Sequence, residues 1–287
     1  MDLSQPSTPD PRPSNDPIGL IAGKGKFPLI FAQETKKNHR DLVVIALKEE
    51  MNEDLSPYAK SVHPISVGKL DAIIKTLKIE RVREAAMAGR VEHTKLFSDI
   101  VPDFRTTQLL LKIPDRRADS ILLAVADELK KDGIRLLPST TFLSHLLPEP
   151  GVLTKSRPNE SEKRNIAFGI RMAQGLATLD LGQTVAVKKR AALAVEALEG
   201  TDACILRGAD LGGEGIIVVK CSKPKQDMRF DVPVVGLQTI QVMIDCKARV
   251  LAVQARKTLL LEKDEMIRRA NLAGICIVAW ETGLEFA

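Results

Sequence analysis

An α/β fold, with a parallel sheet in the first half of the chain and a mixed sheet in the second, is what this sequence predicts. From residue 18 to 137 short apolar runs alternate with amphipathic helical stretches, and a glycine-rich turn follows the first run. After residue 180 the apolar runs no longer alternate regularly with helices. Strands spaced by helices form right-handed crossovers and therefore parallel sheets, which makes the first half Rossmann-like. Irregular alternation favours a mixed sheet for the second half.

The chain has 287 residues, enough for two medium domains. Residues 1–17 contain five prolines, with Met1 and Leu3 the only apolar side chains, so burial cannot offset the entropy of ordering and a disordered tail is expected. Runs 18–22, 42–47, 62–66 and 85–88 read as buried strands, with helical periodicity over 29–37 and 70–77. Helical spacing continues over 109–111 and 121–129 to a stop at Gly133, and 134–137 offers one more strand. Pro148, Pro150, Gly151 and Pro158 mark a junction, giving an N-terminal domain over 18–147 and a C-terminal domain over 159–284. There the pattern predicts a helix over 162–179 and strands over 184–187, 193–197 and 216–220. A charged, proline-bearing loop over 222–233 and a helix over 239–244 follow. A hairpin-like pair at 250–255 and 259–261, a helix over 263–273 and a strand over 275–279 complete it.

Composition narrows the function. Apolar residues make up 44% and charged residues 28%, the balance of a soluble globular protein. Lys and Arg number 42 against 37 Asp and Glu, a net charge of +5, which permits an anionic ligand without requiring one. Aromatics are 3%, with one Trp and one Tyr, too few stacking platforms for a single-stranded nucleic-acid binder. Cys204, Cys221, Cys246 and Cys276 form no C-x-x-C pair and sit among apolar or small neighbours, as buried free thiols do in a reducing compartment. His39, His63, His93 and His145 lack zinc spacing, so any metal should be held by oxygen. With no apolar stretch near 18 residues and no basic start before an apolar run, a cytoplasmic protein is expected.

Four segments carry candidate chemistry. In the turn that contains Gly23 and Gly25, before Pro28, amides at a helix N-terminus can face a phosphate. A tight turn without a ligand is the plainer alternative, because Pro28 stands where a dinucleotide fingerprint has its third glycine. From Lys220 to Pro233, Lys220, Lys223 and Arg229 mix with Asp227 and Asp231. Such a set suits a diphosphate with a divalent metal, and equally a solvated loop of paired charges. Glu196, Glu199, Thr201 and Asp202 could be a further metal or phosphate shell or merely a helix cap, and Asp180 to Gln183 could be only a helix stop.

Four ordered motifs resemble the two-domain UDP-2,3-diacylglucosamine pyrophosphatases of lipid A biosynthesis. They are Gly19-Leu-Ile-Ala-Gly-x-Gly25 with Pro28, Asp180-x-Gly182-Gln183, Ala194-Val-Glu196-Ala-x-Glu-Gly200-Thr-Asp202, and Lys223-Pro-x-Gln226-Asp-x-Arg229-Phe-Asp231-x-Pro233-x-x-Gly236 with Thr239. The resemblance spans residues 18–278. It implies Mg²⁺-dependent hydrolysis of UDP-2,3-diacylglucosamine to UMP and 2,3-diacylglucosamine 1-phosphate, with water attacking the sugar-side phosphorus. It also implies a homodimer, peripheral contact with the inner membrane surface, and a catalytic aspartate at Asp231. Substrate contacts are expected at Gly23, Gly25, Gly68, Lys69, Asp119, Gln183, Thr201, Lys220, Lys223 and Arg229, and Mg²⁺ ligands at Asp227, Asp202 and Glu199.

The chain departs from the family pattern at His93, Ala118, Arg190, Gln254 and Arg256. Two other readings stand beside the enzyme. One is a non-catalytic nucleotide-sugar or lipid-binding protein on the same fold, favoured by the departures at His93 and Ala118. The other, an NAD-dependent oxidoreductase, rests on the first glycine turn alone.

Overall fold

Strands buried on both faces are apolar throughout, and two such runs, 18–22 and 42–47, build the centre of the first sheet. The computed structural model describes residues 16–91, 101–114, 117–224 and 226–281. The tail expected over 1–17 lies, as far as residue 15, outside them. Strands β1 (Ile18–Ala22), β2 (Leu42–Leu47), β3 (Ser61–Ile65), β4 (Glu84–Ala88) and β5 (Arg135–Leu136) lie in the order β3-β2-β1-β4-β5. Every pairing is parallel. The connections carry helices α1 (Lys26–Lys37), α2 (Leu70–Ile79), α3 (Phe104–Lys112) and α4 (Ala118–Lys131). Strand order reverses at β1, the place where sheets of this kind open a crevice beyond their C-terminal strand ends.

The two-residue period of a strand divides β2 between two cores. Leu42, Val44 and Ala46 pack with Phe31 of α1, and Val43, Ile45 and Leu47 pack with Ile73 and Leu77 of α2 and Leu129 of α4.

The second sheet is mixed, as expected. Strands β6 (Gly151–Val152), β7 (Thr184–Lys188), β8 (Ala191–Val195), β9 (Ile217–Lys220), β11 (Val250–Gln254) and β13 (Cys276–Trp280) run in the order β6-β13-β11-β9-β7-β8. The centre, β13-β11-β9, is parallel, while β6, β7 and β8 pair antiparallel with their neighbours. Helix α5 (Glu160–Thr178) covers one face and opens with a capping box between Asn159 and Glu162. Helices α6 (Thr201–Gly212), α7 (Leu237–Asp245) and α8 (Lys263–Leu272) cover the other.

One local expectation is corrected. The hairpin-like pair is not a hairpin: β11 is central in the large sheet, whereas β12 (Leu259–Leu260) pairs in parallel with β10 (Val234–Val235). The cause is burial on two sides. Leu259 and Leu261 join the core around Phe31, and Leu260 joins the core under α7 and α8. The Pro/Gly stretch read as the junction is bonded to the C-terminal half. It contains β6, the Leu153 N–H donates to the Ile277 carbonyl (2.9 Å), and the Arg256 N–H donates to the Pro148 carbonyl (2.9 Å).

Candidate active site

Carboxylates and an ammonium meet where the loop after β9 crosses the edge of the first sheet. Lys223 Nζ lies 2.7 Å from Asp180 Oδ1, 3.0 Å from Asp119 Oδ2 and 3.1 Å from Asp231 Oδ2. Asp119 is in the first turn of α4, and Asp180 follows α5 in a left-handed conformation (φ 56°). Burial alone would lower the Lys223 pKa. The three carboxylates outweigh it and hold the ammonium above the ordinary lysine range.

Asp231 Oδ2 is within ion-pair distance of Lys223 but receives no hydrogen bond of sound geometry, and it is buried. The loop around it is fixed by its backbone: the Asp231 N–H donates to the Asp227 carbonyl (3.0 Å), and Gln226 Nε2 donates to the Asp231 carbonyl. Pro224 and Pro233 keep this segment out of helix, as the sequence requires.

A cavity of about 810 Å³ opens beside this cluster. Asp119, Lys223 and Asp231 line it, together with Gly23, Gly25 and Gly68 and an apolar wall that includes Ile21, Leu70, Met87, Leu109, Leu122 and Val125. Lys69 is not among the lining residues and serves as the residue before α2.

The glycine turn contributes a wall and not a row of free amides. The Gly23 N–H donates to the Ala88 carbonyl (2.9 Å), the Lys24 N–H to the Arg90 carbonyl (2.9 Å) and the Gly25 N–H to Asn52 Oδ1 (3.0 Å). The amides of residues 23 to 25 are therefore used within the protein. A Cβ on Gly23 would sit 2.6 Å from the Arg90 carbonyl oxygen, so close approach requires glycine there.

A second polar cluster lies in the C-terminal sheet. Lys220 Nζ donates to Thr201 Oγ1 (2.6 Å) and lies 3.9 Å from Glu196 Oε2. Thr201 Oγ1 donates to Glu196 Oε1 (2.8 Å), and the Gln183 N–H donates to Glu196 Oε2 (3.1 Å). Glu196 and Lys220 are only 8% and 6% exposed. Burial raises the Glu196 pKa, but the Lys220 charge and the bonds from Thr184, Thr201 and Gln183 prevail and hold it below the ordinary value. Gln183 Oε1 is buried without a partner. The structure thus brings Gln183, Thr201 and Lys220 together, outside the cavity lining.

The residues expected to hold Mg²⁺ are separated. Asp227 is paired with Arg229, Asp202 Oδ1 accepts from Thr239 (2.7 Å), and Glu199 is bound to Arg207. Among the described residues no group of three or more His, Cys, Asp or Glu is gathered as a metal site. Mg²⁺ keeps waters and substrate phosphates and needs only one or two carboxylates from the protein. The orphaned Asp231 Oδ2, with Asp180 beside the same ammonium, fits that smaller demand.

Two residues of this site carried little or no weight in the sequence. Asp180 read equally as a helix stop. Arg90 follows β4, lines the cavity and places Nη1 3.7 Å from where a Cβ on Gly200 would stand, just before α6. Its signal was an arginine at a strand's C-terminal end. Arg190 and Arg256, by contrast, are left-handed turn residues (φ 58° and 56°), which is why glycine suits both positions. Gln254 Oε1 accepts from the Ser222 N–H (2.9 Å) and anchors the start of the loop after β9. His93 lies outside the described residues, as does the side chain of Ala118.

Comparison with known proteins places both halves. Residues 17–146 match the LpxI N-terminal domain and residues 149–278 the LpxI C-terminal domain. The UDP-2,3-diacylglucosamine pyrophosphatase LpxI of Caulobacter vibrioides is 29% identical over 273 residues, covering 91% of this chain and 96% of its own length. Among solved structures, the biotin carboxylase subunit of pyruvate carboxylase aligns with a TM-score of 0.26 at 12% identity, over 63% of this chain and 38% of that one. With both halves matched in order by its two domain models, the chain belongs to the LpxI family.

Proposed function

We propose that the protein hydrolyses the diphosphate of UDP-2,3-diacylglucosamine, giving UMP and 2,3-diacylglucosamine 1-phosphate. The observation that carries this reading is the Lys223 cluster on the wall of a large, mainly apolar cavity: three carboxylates around one ammonium, an acidic balance that suits a diphosphate together with a divalent cation, beside room for acyl chains. The family relative's name states the same substrate.

In this reading the acyl chains lie against the apolar wall and the diphosphate is held by cations. Lys223 and Arg90 line the cavity and would neutralise phosphate oxygens, while Lys220 and Thr201 hold the C-terminal side of the site in shape. Asp231 accepts a proton from water, whose oxygen bonds to the sugar-side phosphorus. The bond from that phosphorus to the bridging oxygen breaks, and the bridging oxygen leaves with UMP. When bound, Mg²⁺ would supply further charge neutralisation on the phosphates, with Asp231 and Asp180 the carboxylates that would hold it. The protein acts as a homodimer in the cytoplasm, in peripheral contact with the membrane that supplies the lipid.

Purified protein incubated with UDP-2,3-diacylglucosamine and Mg²⁺ in ¹⁸O-water tests the reaction. The expected result is UMP without label and sugar 1-phosphate with one ¹⁸O. Substrate binding without UMP release would instead identify a non-catalytic binder, and label in UMP would place attack on the other phosphorus.

A further inference from the structure

We propose that Ser139 is a positioning residue for the reaction: it holds the turn that carries Asp231 in register with the end of β4. The proposal rests on Asp231 acting on the reacting water, and adds the group that sets where its carboxylate stands.

The turn from Gln226 to Asp231 is closed on itself. The Asp231 N–H donates to the Asp227 carbonyl (3.0 Å), the Arg229 N–H donates to Asp227 Oδ1 (3.0 Å), and Gln226 Nε2 donates to the Asp231 carbonyl. Arg229 Nη2 donates back to Asp227 Oδ2 (2.7 Å). These bonds fix the shape of the turn. They do not fix where the turn stands against the cavity.

Ser139 supplies that second constraint. It follows β5 and Pro138, at the C-terminal edge of the first sheet, and is 1% exposed. Its N–H donates to the Met228 carbonyl (2.7 Å), and its Oγ lies 2.6 Å from the Arg229 carbonyl oxygen and 2.5 Å from the Met87 carbonyl oxygen. The hydroxyl thus stands between the turn and the penultimate residue of β4, its one proton shared by two carbonyls. Ser139 is 90 positions from Arg229 and 52 from Met87, so one small side chain joins three segments distant in sequence.

Neighbouring contacts act differently. Phe230 packs in the core around Ile73 and Leu129, and apolar contact is non-directional. Ser222 is bonded to Gln254, and the Pro233 carbonyl accepts from the Leu259 N–H (2.8 Å), so both ends of the segment are moored to the C-terminal half. Lys223 reaches Asp119 (3.0 Å) through a long side chain. Ser139 hydrogen-bonds the backbone beside Asp231 directly to the first domain. Met87 and Asp231 line the cavity and Ser139 does not, so Ser139 acts through the turn and not on the substrate. Placement at this precision matters, because a displacement of about 1 Å at a reacting group can cost about 10² in rate.

The test is a double-mutant cycle on the full chain with S139A, D231N and S139A/D231N, read in steady-state turnover of UDP-2,3-diacylglucosamine, with thermal melting of each variant to show that it is folded. S139A should lower kcat about ten-fold or more, with KM within about two-fold of wild type. In the D231N background the same change should lower kcat by less than about two-fold, because a carboxylate already removed cannot be misplaced. S139C keeps the volume and offers only a weak donor, so it should lose less kcat than S139A, and it carries the cycle if S139A does not fold. A wild-type kcat in S139A, an equal fold-loss in both backgrounds, or a larger loss in S139C than in S139A overturns the positioning role. With D231N impaired, any of those results leaves the role of Asp231 standing. Near-normal kcat in D231N overturns the role of Asp231, and the positioning role with it.

Discussion

Lys223 Nζ sits 3.0 Å from Asp119 Oδ2, which ties the loop after β9 to the first turn of α4 across 104 positions of sequence. The same ammonium holds Asp180 and Asp231, so one side chain joins the end of α5, the candidate catalytic loop and the first sheet.

Replacing Lys223 with Met leaves three carboxylates facing one another without a cation. Because the site is partly solvated, the expected cost is about 1–3 kcal/mol of stability, with kcat/KM reduced at least ten-fold. Arginine should not restore it, since a planar fork cannot serve three carboxylates converging on one point. Thermal melting and steady-state kinetics check both, and wild-type behaviour of K223M would remove Lys223 from the site.

Arg90 reaches toward the residue before α6 from the other half of the molecule. R90M should raise KM and lower kcat/KM by about ten-fold or more, through lost charge-assisted bonds to phosphate, while leaving melting nearly unchanged. Loss of stability with intact kinetics would make Arg90 structural.

Glu196 gives a pH signature. Its carboxyl is held below the ordinary value in the folded protein, so its stabilising effect is complete above the unfolded pKa of 4.5 and is lost as pH falls through the folded one. E196Q should melt lower at neutral pH, having left Lys220 without its carboxylate. It should also lose less stability than wild type between pH 4.5 and the acid limit. Parallel acid limbs for the two proteins would exclude this role.

Turnover should require a hard divalent cation and stop with chelator, since the metal-ligating groups beside the cavity are carboxylates and, among the described residues, no cysteine or histidine lines it. Full activity in excess EDTA would contradict a metal requirement.

The first sheet was legible because its strands are apolar runs separated by helical periods, and β1, β2 and β4 fall where those runs do. β12 was not legible: a three-leucine run after a turn looks like a hairpin arm, and only the two cores it joins explain its parallel partner. For the site, charge density marked the loop from Lys220 to Pro233 and the family resemblance marked Asp231 within it, but neither could show that Asp119 and Asp180 would meet Lys223 from distant segments. Nor could either show that Asp202, Asp227 and Glu199 each take a private partner. That Asn52 and Arg90 would bond the amides of Gly25 and Lys24 was not legible from spacing, because their approach is tertiary.

The central claim is that Asp231 acts on the reacting water, and D231N tests it most directly because the change removes charge and keeps size. Measured together, turnover of UDP-2,3-diacylglucosamine should fall by about 10² or more in kcat, while thermal melting and substrate binding are retained. A folded D231N protein with near-normal kcat would contradict the account and move the proton transfer to another carboxylate.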